Sequence, residues 1–215
     1  MVVMPLPRLD LLADEKYVGD VKRRIKERYP RLGSAGRKTI IYAPTFRKEG
    51  GGFEEEELRM AALRLAEAVD YERYDLVMKF HPLSGIRITH EHAIQDTEFA
   101  TIDFCHAADI VILDYSAVVF EVAMLGKPMF FYTFDYESYM ANRDVYIDFK
   151  KYVPGEISED AEELMAMIES DRTDTEKIEQ FRDLMISRTR SGTYTGDVAD
   201  FFEKTLGINS KEKRR

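Results

Sequence analysis

Ala108-Asp109-Ile110-Val111-Ile112-Leu113-Asp114-Tyr115-Ser116, followed by Phe120-Glu121 and Gly126-Lys127-Pro128, decides the fold. A short apolar run ends at an acid and a hydroxyl, and helical spacing then begins, with Val118, Val119, Val122, Met124 and Leu125 available for packing. The pattern predicts a strand, a turn and a helix from Ser116 to Leu125, with Ser116 as N-cap. In a parallel sheet such a turn lies at the carboxyl edge, where open α/β sheets bind their ligands. Backbone amides behind a hydroxyl N-cap form a ready anion site. The stretch therefore predicts a phosphate-bearing ligand held at Asp114, Tyr115 and Ser116.

Strands and helices alternate outward from this point. Val18, Val21, Ile25 and Tyr29 recur at helical spacing before Pro30 and Gly33. Thr39 to Ala43 predicts a buried strand stopped by Pro44, and Gly50-Gly51-Gly52 a flexible loop. Glu54 to Val69 predicts an amphipathic helix with Leu58, Ala62, Leu65 and Val69 on one face. Leu76 to Phe80 is a second strand, halted at His81-Pro82, and Pro128 to Tyr132 follows Ile110 to Leu113 as a fourth. After Pro154-Gly155 only helices are expected, marked by Ala161, Leu164 and Ile168, then Ile178, Phe181 and Met185, then Val198, Phe202 and Leu206. The expected class is α/β, a Rossmann-like parallel sheet with flanking helices. Residues 1–207 are expected to form one domain, with 208–215 a disordered basic tail.

Composition narrows the function. With 215 residues, of which 45% are hydrophobic, the chain can bury one good core. No apolar run approaches the roughly 18 residues a membrane span requires, and Met1-Val2-Val3-Met4-Pro5 is too short for a signal peptide. A single cysteine, Cys105, excludes a disulfide framework and fits a reducing, cytoplasmic compartment. A net charge of -9 argues against general nucleic-acid binding, so any cationic ligand contact must be local. The tail Lys211-Glu212-Lys213-Arg214-Arg215 reads as a solvated end or as a peripheral contact with anionic lipid at the inner membrane face.

Polar groups recur where the predicted strands end. Thr45 and Arg47 follow the first, His81 the second, and Asp114, Tyr115 and Ser116 the third. Arg47 alone reads as a surface arginine and His81 alone as a loop histidine. A cation, an imidazole and turn amides converging on one edge suit a pyrophosphate. His90-Glu91-His92 lacks a third ligand at sensible spacing, so no metal is expected, and Cys105-His106 reads as core. Neither a Gly-x-Gly-x-x-Gly fingerprint nor a P-loop occurs, so no nicotinamide or other cofactor is expected.

Ile41-Tyr42-Ala43-Pro44-Thr45-Phe46-Arg47, Lys79-Phe80-His81-Pro82, Ala108 to Ser116 and Lys127-Pro128-Met129-Phe130-Phe131-Tyr132-Thr133-Phe134-Asp135 occur in one order. Arg143-Asp144-Val145-Tyr146-Ile147-Asp148 and Pro154-Gly155 continue the series. Over residues 7–205 it resembles the CDP-glycerol glycerophosphotransferase family, the teichoic-acid primases and polymerases. The resemblance implies a two-lobed GT-B glycosyltransferase-type fold, of which this chain matches the carboxyl-terminal, donor-binding lobe. Pro7-Arg8-Leu9-Asp10 resembles the start of that lobe, so the acceptor-binding lobe is expected to be missing.

The implied reaction moves glycerol phosphate, or a related alditol phosphate, from CDP-glycerol or CDP-ribitol to a polyol-phosphate acceptor, releasing CMP. His81 would be the catalytic group, donating to the pyrophosphate and stabilising the leaving CMP. Thr45, Arg47, Asp114, Tyr115 and Ser116 would bind the donor, and Arg143 would pair with its diphosphate. Glu121 would accept from ribose hydroxyls, or else is a solvated helix acid; Tyr132 and Asp135 would organise their loop. Ala117 stands where the family usually has a second serine, and Asp144 where it usually has glycine. Two alternatives remain: a glycosyltransferase using a nucleotide sugar, and a non-catalytic CDP-alditol-binding module.

Overall fold

Apolar runs buried on both sides form the centre of the molecule. The computed structural model describes residues 4–47, 53–143 and 147–207; Gly50-Gly51-Gly52, Asp144 and the basic tail lie outside them. In chain order the elements are α1 (Glu15–Arg28), β1 (Lys38–Tyr42), α2 (Phe53–Ala68), β2 (Tyr74–Met78), β3 (Ile94–Gln95), α3 (Thr101–Ala107), β4 (Ile110–Leu113) and α4 (Val119–Leu125). They continue with β5 (Met129–Tyr132), α5 (Tyr136–Asn142), α6 (Phe149–Tyr152), β6 (Glu156–Ser158), α7 (Ala161–Glu169), α8 (Thr175–Met185) and α9 (Tyr194–Leu206). The strands form one six-stranded sheet in the order β3-β2-β1-β4-β5-β6, and every neighbouring pair is parallel.

Alternation along each strand divides the core in two. Ile40, Tyr42, Leu76, Met78, Ile112 and Phe130 point to one face, where Leu58, Ala62 and Leu65 of α2 and Leu164 of α7 cover them. Ile41, Val77, Val111, Leu113 and Phe131 point to the other, against Ile25 of α1, Phe104 of α3, Val122 of α4 and Phe181 of α8. Burial on both faces explains why these strands read as continuous apolar runs. The chain leaves β1 through α2 on one face and leaves β4 through α4 on the other. The sheet therefore reverses its winding between β1 and β4, and their carboxyl ends open into a crevice.

Three sequence expectations need correction. The helix after β4 begins at Val119, not Ser116, and Val118 at its N-cap position makes no side-chain cap bond. Ser116 instead closes a turn: its carbonyl accepts from Val119 N at 3.1 Å and its Oγ from Val118 N at 3.4 Å. β3 was not anticipated, because two edge residues paired with Val77 and Met78 carry no periodic signal. β6 also replaces an expected helix-only region: Glu156-Ile157-Ser158 has no apolar run and pairs with β5 through its backbone. Gly155 permits that approach, since a Cβ there would lie 2.1 Å from the Met129 carbonyl oxygen. The expected helices after β6 do form.

The Asp10 carboxylate accepts from Tyr194 N at 2.7 Å and Thr195 N at 2.8 Å, joining the amino-terminal segment to the start of α9. Among the described residues no helix is long and apolar enough to cross a membrane.

Candidate functional site

Strand register sets the site. Tyr42 aligns with Met78 on one side and Ile112 on the other. The chain leaving these strands carries Thr45, His81 and Tyr115, each three residues further along, beyond the carboxyl edge. β2 and β4 are two strand spacings apart, about 10 Å, so His81 and the Asp114-Tyr115-Ser116 turn flank the end of β1.

Between them lies a buried polar knot. Arg47 is 2% exposed and Asp114 is 0% exposed. Their side chains pair at 2.9 Å, Arg47 Nε reaches Asp135 at 2.9 Å, and Nη1 donates to the Thr45 carbonyl at 2.9 Å. Asp114 also accepts from Thr45 N at 2.8 Å and Thr45 Oγ1 at 2.7 Å. Tyr115 donates to Asp135 at 3.1 Å and stacks on Tyr139, their ring centroids 3.6 Å apart. The Arg47 guanidinium lies over both rings. The knot ties together the chain leaving β1, β4 and β5. Burial opposes the Arg47 charge, but Asp114 and Asp135 overcome it and raise its pKa. Burial pushes the Asp114 carboxyl above the usual carboxylate range, against the pull of Arg47 and Thr45.

The groups left to meet a ligand surround this knot. The Ser116 and Ala117 amides have no acceptor among the described residues. They border a cavity of about 290 Å³ with Tyr115, Phe120, Tyr139 and Phe149 in its wall. His81 is exposed, stacks on Phe46 at 4.9 Å, and accepts from Leu83 N through Nδ1 at 3.2 Å. That bond assigns the proton of the neutral ring to Nε2, leaving it a donor. Arg143 is half-buried against Tyr139 and has no carboxylate partner among the described residues.

The remaining sequence candidates lie elsewhere. Glu121 is 5% exposed and pairs with Arg8, so it is not a solvated helix acid. Its Oε2 is buried without a partner among the described residues, and it does not line the Ser116 cavity. Cys105, buried nearby, is pushed up to about 12 by burial and by the Glu121 charge. His90 Nδ1 accepts from the His92 and Ala93 amides, and His106 is buried as expected. Lys79, within the Lys79-Phe80-His81-Pro82 series, is internal: it donates to Asp96 and to the Phe99 carbonyl. Sequence reasoning overlooked Tyr139, although its spacing of four from Arg143 on a helix was a readable signal.

Strand order, parallel register and the crevice between β1 and β4 define a Rossmann-type α/β domain. The model of the CDP-glycerol:poly(glycerophosphate) glycerophosphotransferase family matches residues 1–199, and the chain belongs to that family. It is 33% identical over 214 residues to a teichoic acid ribitol-phosphate primase of Bacillus spizizenii, covering 95% of this chain and 54% of the relative. It is 32% identical over 185 residues to the teichoic acid ribitol-phosphate polymerase TarK of Staphylococcus aureus, covering 83% of this chain and 36% of that one. A solved structure of a histidine-to-alanine variant of the wall teichoic acid polymerase TagF shares the fold, with TM-score 0.73 at 22% identity. It covers 100% of this chain and 53% of its own. The chain thus spans about half the length of the primase it matches, or less for the polymerase.

Proposed function

We propose that residues 1–207 form the donor-binding domain of an alditol-phosphate transferase. It would hold CDP-glycerol or CDP-ribitol while a hydroxyl of a polyol-phosphate acceptor attacks the β-phosphorus. The Ser116 turn carries this reading: two amides with no acceptor among the described residues and a hydroxyl border an aromatic cavity, two strands away from the end of β2 that leads to His81. In the reaction the acceptor oxygen bonds to phosphorus and the anhydride bond breaks. CMP leaves with the electron pair, and the hydroxyl proton passes to a base on the acceptor side. Such chemistry depends on positioning and charge stabilisation.

His81 Nε2–H would donate to the leaving phosphate, the Ser116 and Ala117 amides to phosphoryl oxygens, and the cytidine would enter the aromatic cavity. Arg143 supplies the cation for the diphosphate. Arg47, Asp114, Thr45 and Tyr115, engaged with one another and with Asp135, position this turn. Glu121 pairs with Arg8 and does not line the aromatic cavity, so the proposal gives it no ribose contact. Relatives longer than this chain fit a reaction completed by an acceptor-binding lobe. Bringing two reactants together supplies about 7–11 kcal/mol of such a rate, so these residues alone should bind donor and transfer little.

Calorimetric titration tests the proposal with CDP-glycerol, CDP-ribitol, CMP and UDP-sugars. Binding of a CDP-alditol, weakened by Arg143→Ala, supports it. Equal or tighter binding of a UDP-sugar favours sugar transfer instead. Brisk alditol-phosphate transfer by the 215 residues alone would overturn the division of labour. A lipid-linked acceptor would also draw the protein to the inner membrane face, which flotation with anionic vesicles reads directly.

A further inference from the structure

The proposed function leaves a second cavity without a role. It has a volume of about 300 Å³ and lies beyond the ends of β2 and β3. Lys79, His81, Arg87, Thr97 and Thr101 are among its lining residues, and none of the lining residues is acidic. In a chain of net charge -9, that is a lining free of carboxylates, with Glu55 just outside it on Ser84 and Gly85. Lys79 is neutralised by Asp96 behind it, so Arg87 is the lining cation that pairs with no carboxylate among the described residues.

The loop carrying Arg87 is built to present it. Gln95 of β3 donates through Nε2 to the Ile86 carbonyl at 2.8 Å and accepts through Oε1 from Ile88 N at 2.8 Å. It therefore holds the backbone on both sides of Arg87. Ile86 is buried and Ile88 packs on the same core, while Arg87 between them is exposed and lines the cavity. Its Nη1 donates to the Ile86 carbonyl at 2.8 Å, and the rest of the guanidinium has no partner among the described residues. Thr97 and Thr101 complete the wall, and His81, whose one N–H the proposed function gives to the leaving phosphate, borders it. The volume is at the bottom of the range for small-molecule sites, with room for one polyol-phosphate unit.

Position assigns the ligand. In-line displacement requires the attacking oxygen to approach opposite the leaving CMP. With the cytidine on the β4 side of the crevice, the acceptor arrives from the β2–β3 side, where this cavity opens next to His81. We infer that it is a phosphate-ester subsite for the acceptor, in which Arg87 binds a phosphate of the polyol-phosphate chain. The inference rests on the proposed function and extends the donor domain's role to reading the acceptor.

Amide NMR of the 215-residue chain tests it, titrating sn-glycerol 3-phosphate, inorganic phosphate and CMP separately and then sn-glycerol 3-phosphate onto CMP-saturated protein. The expected result is shifts at Ile88, Gln95 and Thr97 that persist with CMP bound. Arg87→Ala should weaken sn-glycerol 3-phosphate about tenfold to a hundredfold, Arg87→Lys less, and CMP affinity should be unchanged in both. Inorganic phosphate should bind more weakly than the ester; equal or tighter binding overturns the polyol-ester assignment. Displacement of sn-glycerol 3-phosphate by CMP, an equal loss of CMP affinity in Arg87→Ala, or no shifts at Ile88 and Gln95 would also overturn the subsite. If neither CDP-alditol binds while Arg87-dependent ester binding persists, the proposed function fails instead.

Discussion

Replacing Arg47 with methionine tests whether the buried knot is what joins the strand ends. Methionine retains most of the apolar stem and removes the charge. Among the described residues it leaves Asp114, 0% exposed, with only Thr45 N and Thr45 Oγ1 as donors, and Asp135 with Tyr115. Removing one partner of a buried ion pair costs about 3–5 kcal/mol. For a domain of this size each kcal/mol lowers Tm by about 2–4 °C, so the expected fall is about 6–20 °C.

The pH dependence has a definite sign. Burial already pushes the Asp114 carboxyl up, and loss of Arg47 removes the main opposing force. A carboxyl with a raised folded pKa costs stability above that pKa, and the cost disappears as the pH falls and it protonates. The Arg47→Met deficit should therefore be larger at pH 7.5 than at pH 4.5. Urea unfolding followed by far-ultraviolet circular dichroism at both pH values measures it. The double variant Arg47→Met/Asp114→Asn should recover part of the loss, since both charges are gone. A deficit under about 1 kcal/mol, or one independent of pH, would show that water reaches the pair and that the knot is not the joint described.

Other perturbations test separate joints. Asp96 is 1% exposed; burial works against its charge, but Lys79, Tyr29 and the Phe99 amide outweigh it and hold its pKa below the usual carboxylate range. Its stabilising effect is therefore complete above the unfolded carboxyl pKa of about 3.9 and is lost as pH falls through the lower folded value. The gap between wild type and Asp96→Asn should be wide at pH 6 and narrow below pH 4 in chemical denaturation. Gly155→Ala forces a Cβ against the Met129 carbonyl and should cost at least about 1–3 kcal/mol, with β6 amides losing hydrogen-exchange protection before those of β1. Asp10→Ala should cost about 1 kcal/mol and speed exchange at Tyr194 and Thr195; unchanged exchange there would remove Asp10 as the tie to α9.

The central strands were legible because parallel strands covered on both faces must be apolar at every position, and Ile110 to Leu113 matches β4 residue for residue. Leu76 to Phe80 was displaced by two residues, since Phe80 carries the apolar pattern past Met78, where the ladder ends. β3 and β6 were illegible for the opposite reason. Two and three residues at the sheet's margins need no hydrophobic run, only a neighbour with free backbone groups. Ser116 misled because a hydroxyl before apolar helical spacing signals an N-cap, whereas its side chain here closes a shorter turn.

For the site, sequence showed which residues gather at the carboxyl edge but not which way each one faces. Arg47 illustrates the gap. An arginine after a strand reads as a cation offered to solvent, and nothing local reveals that Asp114 and Asp135, 67 and 88 positions later, both converge on it. Once paired with its two carboxyl groups, Arg47 forms a unit with no net positive charge beside the switch point. A diphosphate approaching the crevice is not attracted by that unit. In the proposed function its neutralisation would fall to the turn amides at Ser116 and Ala117, to Nε2–H of His81 and to Arg143 at the margin. The resulting division is physical: buried charges fix the geometry of the edge, and the groups able to reach phosphate are those the knot leaves unpaired. Arg143→Ala should therefore lower donor affinity with little loss of stability, while Arg47→Met should lower stability first.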